Sequence, residues 1–104
     1  MLPQDHARRG RTLNRERAEA IALQGIAFIA GDPEMLEALL RITGATPQDL
    51  KERLTESAFL AGVLDFLLEY EPRLLKFCAE YGLDPMAPAA AREVLDPTAD
   101  SHHI

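Results

Sequence analysis

The sequence predicts an all-α fold, a compact single-domain bundle of about six helices. Two observations carry that expectation. First, Gly31-Asp32-Pro33, Gly44-Ala45-Thr46-Pro47 and Gly82-Leu83-Asp84-Pro85 each read as the end of one helix and the start of the next. Gly takes the left-handed conformation that closes a helix, Asp or Thr caps the following one, and Pro sits where no N–H is needed. Second, apolar residues between these junctions recur at helical spacing, and no stretch alternates with period two as a half-buried strand would.

Taken in order, the first helix covers 15–30 behind Asn14 as N-cap. The second covers 33–43, with Leu36, Leu39 and Leu40 on one side. The third covers 47–54, with Leu50 and Leu54 inward and Thr46 and Asp49 at capping-box spacing. Thr55 or Ser57 opens a fourth helix that runs to about Tyr70. Pro72 begins the fifth, which Gly82 ends. Asp84-Pro85 begins the sixth, which stops before Asp96-Pro97 and carries Pro88 in its first turn, where a lost N–H is tolerable. Residues 1–13 read as a flexible basic tail, 14–96 as the helical domain and 97–104 as a flexible polar tail. Pro33 and Pro72 lie 39 residues apart and Gly44 and Gly82 lie 38 apart. That near-repeat suggests two pseudo-repeated three-helix units closed on each other.

The chain's 104 residues amount to one domain, and 47% hydrophobic with 27% charged residues is ordinary for a soluble globule. Net charge is −6, unevenly placed: residues 1–17 hold five arginines against Asp5 and Glu16, a net of +3, which leaves −9 for the rest. An acidic body disfavours broad contact with a phosphate backbone. Arg8, Arg9 and Arg11 are the candidate residues for an anionic partner, and a nucleic-acid accessory role is an alternative that rests on them alone. The single Cys78 allows no intrachain disulfide and fits a reducing compartment. The arginines near the start are followed by no apolar signal core. The longest apolar stretch, 58–68, is well short of the ~20 residues that span a bilayer. The expectation is a cytoplasmic protein with no membrane partner.

No phosphate-binding Gly-rich loop, CxxC pair or nucleophile–base constellation occurs. Cys78 has no histidine near it in sequence and reads as a core residue. His102-His103 beside Asp100 reads as a polar chain end. Asp65 and Glu69 lack a third ligand for a metal. These readings predict a protein that is not an enzyme, with no cofactor, no metal and no small-molecule substrate.

Two helices carry more apolar surface than one small core needs. In the fourth, only Ala58, Gly62, Asp65 and Glu69 leave the apolar face. That stripe is either solvated or a groove in which Asp65 anchors a partner's Arg or Lys. In the first, Gln24 is the only polar side chain between 21 and 30. Ala18, Ala22, Gly25, Ile26 and Ile29 make the inward face, while Ile21 and Phe28 lie toward Arg17 and Gln24. That strip is either exposed to a partner or covered by the N-terminal tail or the last helix. The expected function is therefore a protein-interaction or adaptor module, acting on a protein partner or by self-association. A helical small-molecule sensor with a pocket between the two units is a further alternative.

The runs Leu39-Leu40-Arg41-Ile42-Thr43-Gly44, Phe59-Leu60-Ala61-Gly62-Val63-Leu64-Asp65-Phe66-Leu67-Leu68 and Leu74-Leu75-Lys76-Phe77-Cys78-Ala79-Glu80-Tyr81-Gly82-Leu83 resemble a small bacterial family, domain of unknown function 3572, found mainly in alphaproteobacteria. The resemblance covers about 14–95. It implies a cytoplasmic bacterial protein and brings no activity, cofactor or catalytic residue with it.

Overall fold

A computed structural model describes residues 13–97. Its six α-helices are α1 (Arg15–Ala30), α2 (Pro33–Thr43), α3 (Pro47–Glu52), α4 (Ser57–Leu68), α5 (Glu71–Tyr81) and α6 (Ala87–Leu95), with a 3-10 turn at Arg53–Thr55 between α3 and α4. The described residues contain no strand.

Local chemistry explains most of the boundaries. The Asn14 side chain accepts from Arg17 N–H at 2.7 Å and starts α1. Asp32 accepts from Glu34 and Met35 N–H at 3.1 and 3.3 Å and starts α2. Thr46 and Asp49 form the reciprocal capping box, at 3.0 and 3.1 Å, that starts α3. Gly44 (φ 75°) and Gly82 (φ 64°) close α2 and α5 in the left-handed region.

The glycine grammar fails at Gly31. Its φ is −76°, an ordinary right-handed value, and its N–H bonds back to the carbonyls of Ala27 and Phe28. What turns the chain there is the extended Asp32 (φ −128°), which caps α2.

Three other boundaries shift. The 3-10 turn ends α3 at Glu52, before Leu54. The residue in the cap position of α4 is Glu56, with no side-chain cap bond. The helix opens at Ser57, as expected, but Ser57 is its first residue rather than its cap. Its hydroxyl accepts from Arg15 Nη2, which ties the starts of α1 and α4 together. The chain at Asp84-Pro85 forms a turn rather than helix: Ala87 N–H donates to Asp84 O, and Met86 N–H to Asp84 Oδ1, both at 2.8 Å. Helix α6 accordingly begins at Ala87, with Pro88 at its second position.

The core centres on α1, α4 and α6, which pack on one another. Helix α4 contributes most of its faces: Phe59, Leu60, Ala61, Val63, Leu64, Phe66 and Leu67 are all buried. Gly25 lets α1 approach α4 closely, since a Cβ there would stand 3.0 Å from Leu67 Cδ1. Helix α2 packs on α1 and touches α4, while α5 packs on α4 and touches α1. The two pseudo-units thus correspond in their first two helices. Their third helices differ: α6 lies between α1 and α4, whereas α3 packs chiefly against the 3-10 turn. Leu13 packs against this core as well.

Candidate functional site

The candidate surfaces on α1 and α4 can be placed. Ile21 has no exposed surface and Phe28 only 8%, so neither belongs to an accessible strip on α1. The reason is packing on that side: the last helix lies along α1, and α5 brings the fully buried Phe77 to 5.4 Å from the Phe28 ring. This face is turned into the bundle, with Phe28 against Phe77 of α5. Gln24 is half-buried and its Oε1 is buried without a hydrogen-bond partner. The side of α1 that does reach solvent runs through Ala20, Leu23, Ala27 and Ala30. Sequence periodicity missed it because α1 is apolar nearly all round, so its small residues gave no sign of which side faced out.

On α4, Ala58 and Glu69 are exposed, and nothing lies within 4 Å of where a Gly62 Cβ would be. Asp65 holds an arginine, but one from its own chain: Arg92 Nε of α6 donates to Asp65 Oδ1 at 2.8 Å. Arg92 also lies 3.6 Å from Glu93 Oε2. The stripe is therefore open at Ala58 and Gly62 and bridged at Asp65. Arg8, Arg9 and Arg11 lie outside the described residues, as do His102 and His103.

Cys78 is buried, and its thiol is pushed above its ordinary value, first by burial and then by the negative charge of Asp84. Both effects disfavour the thiolate, so this is not an activated nucleophile. Asp49 moves the other way: the Thr46 N–H and then the Thr46 hydroxyl bond its carboxylate and lower its pKa. That shift belongs to the helix cap, not to a reaction centre.

A concave feature lies in the place of the pocket between the two units that the sensor alternative called for, between α2 and α5. These are the corresponding second helices of the two pseudo-units, and they make at most marginal contact with each other. Two adjoining cavities of about 420 and 390 Å³ run along the gap and share Asp32, Met35 and Lys76. The deeper end is floored by Phe28 and flanked by Tyr81 and Glu80. The other end is lined by Ala38, Tyr70, Pro72 and Arg73. Met35 and Ala38 form an apolar row on α2, and Ile42, one turn further and 65% exposed, extends it.

Arg73 is fixed in place by aromatic rings. Its guanidinium stands 4.0 Å from the Phe66 ring centroid and 5.4 Å from that of Tyr70, and its Nε is buried without a hydrogen-bond partner. Held this way, Arg73 lines the groove beside Tyr70. The sequence offered a pocket between the two units but not its lining, which depends on how far apart α2 and α5 stand when each packs on the central helices.

A small all-helical domain, with a closed core of three helices and an open groove between two outer ones, is the class this architecture defines. The family model described as "Protein of unknown function (DUF3572)" matches residues 15–98, and the chain belongs to that family. No curated protein and no solved structure matches the chain. No helix among the described residues is long and apolar enough to cross a membrane.

Proposed function

We propose that this protein is a non-enzymatic protein-interaction module whose working surface is the groove between α2 and α5. The observation that supports this reading is the pair of adjoining cavities with a shared apolar row and charged edges. The core encloses Phe77, Ile21, Ile29, Leu39, Leu60, Leu64 and Leu67, while Leu23, Leu75 and Met86 are exposed singly outside the groove. Beside that core, the α2–α5 gap leaves Tyr70 56% exposed next to Met35 and Ala38. Apolar strips rimmed by charge characterise surfaces that meet other proteins. Aromatic and Arg side chains, the residue types that dominate interface energies, stand at its edge as Tyr70 and Arg73.

Affinity capture of the tagged protein after chemical cross-linking in its own cells, which retains weak complexes, tests the reading, with Ala38→Arg to fill the groove and Met86→Arg as a control on an exposed residue elsewhere. A protein retained by the native chain and the Met86 variant but lost with the Ala38 variant supports it. Equal recovery by all three, or no recovery by any, contradicts it.

A further inference from the structure

We infer that the occupant of the groove is a second copy of this chain. The inference rests on the groove being an interaction site and adds what fills it. At the outer end of the groove the two walls carry opposite charge, Asp32 and Glu34 on the α2 side and Arg73 and Lys76 on the α5 side. Glu80 adds an acid to the α5 side at the deeper end. Among the described residues no ion pair crosses from one wall to the other. A partner of one sign would meet like charge on one wall. A two-fold axis over the groove floor removes that conflict, because each copy's acidic wall then faces the other's basic wall. An isologous contact repeats every such pairing, so the complementarity counts twice.

The groove's own rim supplies the projecting element. Tyr70, 56% exposed at the start of α5, offers an apolar ring with a polar tip to the opposing Met35 and Ala38 row. Arg73 is held against the Phe66 and Tyr70 rings before any partner arrives, so little side-chain freedom is lost when it meets an opposing carboxylate. Each chain's net charge of −6 opposes association in general. Binding of like copies therefore depends on the local alternation of sign, and it is weak and reversible.

Sedimentation equilibrium across a micromolar-to-millimolar series tests this with the native chain, Glu34→Lys, Lys76→Glu and an equimolar mixture of the two variants. Both side chains are exposed, and neither supplies a cap or core contact; circular dichroism confirms that each variant is folded. The native chain is expected to form a dimer reversibly. Each variant should weaken it by about tenfold or more, because like charges then meet at both symmetry-related contacts. The mixture should recover a heterodimer, since the reversed α2 wall of one copy faces the reversed α5 wall of the other. A native chain that is monomeric throughout overturns the inference, as does a mixture that stays as weak as its components. Neither result bears on the groove as a site for another protein, which the Ala38→Arg capture decides separately.

Discussion

Arg92 on α6 clamps Asp65 on α4, with Nε 2.8 Å from Oδ1. The arginine side chain is only 14% exposed, while the aspartate is 47% exposed. The carboxylate that looked, in sequence, like an anchor for a partner's cation instead joins the last helix to the central one. That link helps to hold α6 between α1 and α4, on which it packs.

Removing the pair should be felt unequally by its two members. Asp65→Asn leaves Arg92 with Glu93 and with the Asp96 carbonyl at 3.5 Å, so the cost is about 1 kcal/mol or less. Arg92→Ala also loses the packing of a mostly covered stem, and should cost roughly 2 kcal/mol. Urea denaturation of both variants measures this, and 1 M salt should shrink the Asp65 effect more than the Arg92 effect.

The two glycines inside helices should respond in opposite directions. A Cβ at Gly62 meets nothing within 4 Å, so Gly62→Ala should stabilise by about 0.5–1 kcal/mol through helix propensity. At Gly25 the first added carbon already stands 3.0 Å from Leu67 Cδ1, and Val63 Cγ1 follows at 3.7 Å. Gly25→Val should push α1 off α4 and cost about 2 kcal/mol or more. Thermal melts of the two variants should therefore move in opposite directions.

The junction glycines divide as well. Gly82→Ala and Gly44→Ala force a side chain into the left-handed region and should each cost about 1 kcal/mol. Gly31→Ala keeps a right-handed backbone and meets the Phe28 and Ala27 carbonyls at 3.5 and 3.8 Å, ordinary contact. It should be neutral or slightly stabilising. Chemical denaturation of the three variants checks the contrast.

Acid should loosen the start of α3 through Asp49. Its folded pKa lies below the ordinary value of 3.8, so its contribution is complete above that value and is lost as pH falls through the folded one. In Asp49→Asn that titration is absent. The stability difference between native chain and variant should therefore be constant near neutrality and shrink below about pH 4. A difference that stays level into acid would contradict the assigned cap.

Most of the fold was legible because its boundaries are local chemistry. Asn14, Asp32, Thr46 with Asp49, and Gly44 and Gly82 perform the capping roles that their residue types suggest. Departures come where tertiary contacts intervene: Ser57 is taken by Arg15, and Asp84 bonds its own turn instead of opening a helix. The candidate surfaces were less legible. A helix apolar on nearly every side, such as α1 or α4, says that it is central but not which strip its neighbours leave bare. Ile21 and Phe28 are buried, Phe28 against Phe77 of α5, in packing that periodicity does not encode. The α2–α5 groove is a gap between packed elements, and its lining residues are 32–38 on one side and 70–81 on the other, unremarkable within their own helices.

Site-specific photocrosslinking in cells tests the groove most directly, because it traps whatever touches the chosen residue, a second copy or another protein. With a photoreactive side chain placed in turn at Ala38, Tyr70, Ala58 and Met86, covalent adducts should form from Ala38 and Tyr70 and not from the other two. Adducts confined to Ala58 or Met86, or none from Ala38 and Tyr70, would contradict the assignment of the groove as the working surface.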